Sequence, residues 1–129
     1  MIVVDSSVLI AHQRNIPIQS VQKLRSLKDL NSVIVGDLVM LEILQGARSE
    51  AEAKATEQRL RKFEIRNMLS THIAVSAARN YRYLRLQGIT IRKSIDMIIG
   101  TFCIEGGHQL LHHDRDFGPM VEHLGLQVL

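Results

Sequence analysis

The first apolar run of this chain, Ile2-Val3-Val4, is three residues long and stops on an acid, Asp5, followed by Ser6 and Ser7. A short β-branched run of this kind reads as a buried strand, here with a carboxylate at its end. In parallel α/β folds, ligands bind outside the carboxyl ends of the strands. Three further acids interrupt or follow apolar stretches: Glu42 within Leu38–Leu44, Asp96 within Ile95–Ile99, and Asp114 shortly after Leu110-Leu111. Carboxylates are rarely buried without a partner. Four of them in such settings point to one shared partner, and a divalent cation is the natural candidate.

The rest of the pattern alternates strands with helices. Strands are expected at Ile2–Val4, Val33–Val35, around Ile65, at Gln109–Leu111 and at Leu126–Val128. Between them, a helix capped by Ser6 runs to about Arg14, and Val21, Leu24 and Leu27 mark a second. Asp37 is expected to cap a helix to about Gln45, closed by Gly46. Ser49-Glu50-Ala51-Glu52 is a capping box that opens a helix to about Phe63. Thr71–Leu86 carries Ile73, Ala77, Tyr81 and Leu84 on one face and stops at Gly88. Ser94 is expected to cap a helix to Glu105 that breaks at Gly106-Gly107, and Phe117–Leu124 forms a short last one. This alternation predicts a single α/β domain, a parallel sheet of four or five strands with helices on both faces. No repeat, linker or low-complexity tract interrupts it.

The chain's 129 residues fit one domain. No apolar run approaches the ~20 residues that cross a membrane, and the first residues lack the basic and apolar regions of a signal peptide. The single cysteine, Cys103, lies in an apolar run and reads as a core residue, and the cytoplasm is the expected compartment. The net charge of +3 hides an asymmetry. Setting aside Asp5, Glu42, Asp96, Asp114 and Asp116 leaves 16 basic residues against 8 of the 13 acidic ones. If those five acids converge, the remaining surface is basic around one acidic spot, a distribution that favours polyanions. Charge alone fits a solvated, slightly basic surface equally well.

In a doubly wound sheet the acids can meet above one edge. Two unit charges about 4 Å apart repel by roughly 4 kcal/mol at an effective dielectric near 20. Several such pairs would exceed a small domain's margin of ~5–15 kcal/mol, so protons or cations must relieve them. Mg²⁺ and Mn²⁺ suit oxygen ligands, and an ion held this way supports phosphodiester hydrolysis. Taken singly, each acid has a structural alternative. Asp37 and Asp114 can serve as caps, Glu42 can pair with Arg14, and Asp96 with Arg92 or Lys93.

Four segments in order resemble the PIN-domain ribonucleases, and specifically the VapC-type toxins of toxin–antitoxin pairs. They are Met1–Ser7, Leu41-Glu42-Ile43-Leu44-Gln45-Gly46-Ala47-Arg48, Ser94-Ile95-Asp96-Met97-Ile98-Ile99-Gly100 and Asp114-Arg115-Asp116-Phe117. Each is weak alone; together they span the chain. The resemblance implies a three-layer α/β/α domain and a Mg²⁺- or Mn²⁺-dependent endoribonuclease. Its site would use Asp5, Glu42, Asp96 and Asp114, with Asp116 as a fifth acid. Asp5 and Asp96 would be the most direct metal ligands, and Ser6 would help hold metal-bound water. It further implies a homodimer and a cognate antitoxin whose C-terminal segment lies near the site. The chain departs from the family at His112, where a small hydroxyl residue is common, and at Ala11-His12, where an acidic or aromatic residue is.

Arg92 and Lys93 stand close enough to Asp96 to meet a scissile phosphate. Arg59, Arg61, Lys62 and Arg66 form one basic cluster; Arg79, Arg82 and Arg85, with Tyr83, form another that reads as a solvated face or an RNA track. His108, His112, His113 and His123 make a poor zinc set, because the adjacent pair points opposite ways in an extended segment. A haloacid-type phosphatase is set aside because Ser7 stands where its second Asp belongs. A phosphorelay receiver is set aside because no Asp lies between Asp37 and Asp96. The competing functional reading is a non-catalytic PIN-like module that binds RNA or protein.

Overall fold

The computed structural model describes residues 1–129. Five strands, β1 (Ile2–Val4), β2 (Val33–Gly36), β3 (Glu64–Arg66), β4 (Gln109–Leu111) and β5 (Gln127–Val128), form one parallel sheet in the order β3-β2-β1-β4-β5. Seven helices connect them: α1 (Ser6–Gln13), α2 (Gln19–Ser26), α3 (Asp37–Leu44), α4 (Glu50–Leu60), α5 (Thr71–Leu86), α6 (Ser94–Gly106) and α7 (Gly118–Leu124). From β1 the chain steps twice to one side, then returns past β1 to β4 and continues outward to β5. Right-handed crossovers place α1–α4 on one face of such a sheet and α5–α7 on the other. The packing agrees: α1 lies against α2 and α3, and α5 against α6 and α7. The result is a three-layer α/β/α domain. The strand order reverses between β1 and β4, which makes their carboxyl ends the topological switch point.

The middle strands are apolar because helices cover both faces. Val3, Val4, Val33, Ile34, Val35, Leu110 and Leu111 are fully or almost fully buried. Ile99 and Cys103 from α6, Leu84 from α5, and Phe117 and Met120 near the end complete the core. Burial raises the Cys103 thiol to about 12, consistent with an inert packing role. α6 ends at Gly107, whose φ of 67° is the left-handed conformation that glycine adopts most cheaply. No helix is long and apolar enough to cross a membrane.

Three expected caps differ. The residue that caps α1 is Asp5 rather than Ser6: its side chain accepts the Ser7 N–H. Asp37 is the first residue of α3, not its cap. Its Oδ1 accepts the Leu38 and Met68 N–H groups and ties α3 to the segment after β3. α6 starts from Lys93 without a side-chain cap. The Ser49 cap is as expected, with Oγ accepting the Glu52 N–H. α4 stops at Leu60 instead of Phe63, because the chain tightens into a turn that folds Phe63 against the core.

At Gly36, a Cβ would collide with the side chain of Met68, which is itself sealed in the core. Gly36→Ala is therefore expected to cost about 1–3 kcal/mol. Urea unfolding should show a lower midpoint with an unchanged slope.

Candidate active site

Asp5 extends β1 by one residue, and its N–H donates to the Leu111 carbonyl of β4. This register sets Asp5 beside the start of the loop that carries Asp114. The Asp5 carboxylate is 3% exposed. Its Oδ2 accepts from the Ser7 N–H at 3.1 Å and from the Ser7 hydroxyl. The Ser7 oxygen in turn accepts the His113 N–H at 3.0 Å. One serine thus ties the end of β1 to the loop after β4. Ser7→Ala should lower the stability of the metal-free protein by ~1 kcal/mol, the usual cost of such a bond, as measured by urea unfolding.

Glu42 lies on α3, half-buried, and its Oε1 accepts from the Ser6 hydroxyl at 3.3 Å. Burial raises its pKa first and the charge of Asp5 second; Ser6 and Lys93 oppose the rise. Asp96 sits in the first turn of α6 and is 4% exposed. Its Oδ2 is sealed from water and meets no donor. Burial, then the charges of Asp5, Asp114 and Glu42, push its pKa up to about 7 against the pull of Lys93. Asp114 and Asp116 belong to a short 3-10 turn after β4. The Asp114 Oδ1 accepts the Asp116 N–H at 2.9 Å. The Asp114 N–H donates to His112 Nδ1 at 3.2 Å, and the His112 ring leans on Phe117.

One carboxylate oxygen each from Asp96, Asp114 and Asp116 lie within 4.8 Å of one another, close enough to share a cation. Asp5 and Glu42 stand beside this trio and act on Asp96 through their charges. Arg92, on the rim, approaches Asp116 at 3.7 Å but is largely in solvent, so the contact contributes little. A cavity of about 600 Å³ opens here, lined by Arg92, His112, His113, Asp114, Arg115 and Asp116 without a hydrophobic residue. The residues fit a hard cation. The donors are carboxylates with no thiolate among them, and a sealed carboxylate oxygen without a donor calls for a proton or an ion.

Ser6 faces Glu42, while the neighbouring Ser7 holds Asp5. The sequence reading missed Ser7 and the backbone of His113. An acid at a strand end followed two residues later by a hydroxyl is the local signal that marks Ser7. Elsewhere, Arg61 pairs with Glu57 and Arg66 with Glu64, so half of the first basic cluster is occupied. On α5, Arg79, Arg82 and Arg85 are all exposed; Arg85 donates to Thr90.

Fold and site together define a parallel α/β/α domain with an acidic centre at its switch point. The family model for the PIN domain matches residues 2–120, and the chain belongs to that family. Its fold is similar to that of VapBC-1 from nontypeable Haemophilus influenzae, with a TM-score of 0.78 at 17% identity over 100% of this chain and 97% of the other. It is also similar to VapBC2 from Rickettsia felis bound to a promoter DNA fragment, with a TM-score of 0.79 at 16% identity, covering 100% and 98%. A toxin–antitoxin complex from Klebsiella pneumoniae matches with a TM-score of 0.71 at 19% identity, covering 91% and 90%.

Proposed function

We propose that the chain is a Mg²⁺- or Mn²⁺-dependent endoribonuclease and the toxin of a toxin–antitoxin pair. The observation that carries this reading is Asp96: a carboxylate sealed in the protein, without a donor, beside Asp5, Glu42 and Asp114. Membership of the PIN family and the fold's likeness to toxin–antitoxin complexes support the assignment.

Asp5, Asp96, Asp114 and Asp116 would hold the ion, with Glu42 reaching it directly or through water. The ion would supply an acidified water and neutralise charge on the phosphoryl oxygens. The residues of the chain do the rest. Ser7, itself held by the His113 N–H, engages one oxygen of Asp5 and would leave the other for the ion. Glu42, restrained by Ser6, has a raised proton affinity and is suited to orient the attacking water and take its proton. Arg92 and Lys93, exposed beside the acids, would meet the scissile phosphate. The exposed arginines of α5, with Tyr83 among them, would carry the flanking RNA backbone.

The partners proposed are an RNA substrate, a cognate antitoxin protein and a second copy of the chain, in the cytoplasm. α5 and the residues before it also leave the apolar side chains of Leu69, Val75 and Leu86 exposed, which is in keeping with self-association.

Structured RNA, incubated with the purified chain in Mn²⁺ or in EDTA beside a matched DNA, tests the reading. Internal cuts in RNA that need the metal are expected. Cutting that persists in EDTA would remove the metal from the account, and cutting of DNA alone would change the substrate. Binding without cutting would mark a non-catalytic module.

A further inference from the structure

We infer that His112 is a positioning residue that clamps the Asp114–Phe117 turn and so sets the carboxylates of Asp114 and Asp116 for the ion; this rests on the metal-nuclease reading above. An imidazole is much larger than the small hydroxyl residue expected at this position, and the structure shows where it goes. The ring is half-buried and tilted on Phe117, with centroids 5.0 Å apart. Its Nδ1 accepts the Asp114 N–H at 3.2 Å. A neutral ring that accepts at Nδ1 carries its proton on Nε2, so the tautomer is fixed by the same bond.

The turn is held at both ends, at its start by this hydrogen bond and at its end by the burial of Phe117 itself. The hydrogen bond holds its first residue, Asp114. The ring face meets its last, Phe117, which is completely buried. Between them the Asp114 Oδ1 accepts the Asp116 N–H, so both acids are tied to one rigid backbone segment. Two of the three carboxylate oxygens that lie within 4.8 Å of one another come from this turn. Losing the acceptor would free the Asp114 N–H to water and let the turn rotate about the Phe117 anchor. The acids would then pay the ordering entropy when the ion binds instead of having it settled by folding.

Two variants separate the parts of the clamp. His112→Phe keeps a ring against Phe117 and removes the acceptor. His112→Asn loses the ring and keeps an acceptor oxygen. Manganese is titrated calorimetrically into each, free of any partner protein. His112→Phe should weaken manganese binding about tenfold or more, while His112→Asn should stay within about threefold of the parent, the range seen when ligand-supporting hydrogen bonds are cut or kept. A Phe variant that binds as tightly as the parent, or an Asn variant as weak as Phe, overturns the inference. The parent chain labelled with ¹⁵N gives an answer that needs no variant to fold. A scalar coupling across the hydrogen bond, from the Asp114 amide nitrogen to His112 Nδ1, is expected; a protonated Nδ1 or no coupling overturns the clamp. A parent that takes up no manganese sinks the nuclease reading instead, and the coupling still decides the clamp.

Discussion

Asp96→Asn is expected to abolish RNA cleavage and, in the same molecule, to raise the melting temperature of the metal-free protein. The activity should fall by at least about 10³-fold, equivalent to ~4 kcal/mol of transition-state stabilisation, because Asp96 holds the one buried carboxylate oxygen of the cluster that meets no donor. The stability gain has the same origin. In the metal-free protein near neutral pH, Asp96 is ionised only against burial and against the charges of Asp5, Asp114 and Glu42. An amide is nearly the same shape, carries no charge, and can donate to a neighbouring carboxylate. A gain of about 1–3 kcal/mol at pH 8 is expected, a rise of roughly 3–10 °C for a domain of this size. Gel-based cleavage assays and thermal unfolding in EDTA check the two halves. A variant that still cuts within tenfold of the parent, or one that melts lower, contradicts the role given to Asp96.

The second large effect is on pH dependence. The folded protein raises the Asp96 pKa from 3.8 to about 7. Between those values the folded state holds a proton that the unfolded state has released, so stability falls as pH rises. The contribution is complete below about pH 4 and lost above about pH 7, with a span of up to ~4 kcal/mol. Glu42, also raised, acts in the same direction. His12, His108 and His112, all lowered mainly by burial, act in the opposite direction as pH falls toward and below 6.5. The Asp96 share is therefore read as the difference between the parent and Asp96→Asn, from urea unfolding at several pH values in EDTA. That difference should shrink and change sign as pH rises from about 5 to about 8. Manganese should stabilise the parent more at the higher pH, because the ion and the proton compete for one carboxylate. A flat difference across this range would show that Asp96 is not strained by its neighbours.

The alternation of short apolar runs with helical segments is enough to read the layers and the central strands, while β3, with Ile65 as its single apolar residue, leaves the count at four or five until the sheet is seen. Length and side-chain type settle such elements locally. Asp5 could be singled out because a buried strand ending on an acid is rare enough to carry information by itself. The caps were less legible. Asp37 has the right chemistry to cap α3, but the Met68 N–H, 31 residues away in sequence, engages its side chain. Asp5, singled out for the site, also caps α1, and no local rule assigns one side chain to two tasks. The grouping of Asp96 with Asp114 and Asp116 depends on how the return past β1 places α6 over the end of β4. His112 shows the same limit: its sequence position marks a departure from the family, but only packing against Phe117 reveals what the larger ring does.

Calorimetric titration of Mn²⁺ into the antitoxin-free chain tests the central claim most directly. The account predicts uptake by the parent, with protons released near pH 6 as the ion displaces the one held by Asp96, and at least a hundredfold weaker binding by Asp96→Asn, a loss of about 2.7 kcal/mol. No uptake by the parent, or equal uptake by the variant, would contradict it.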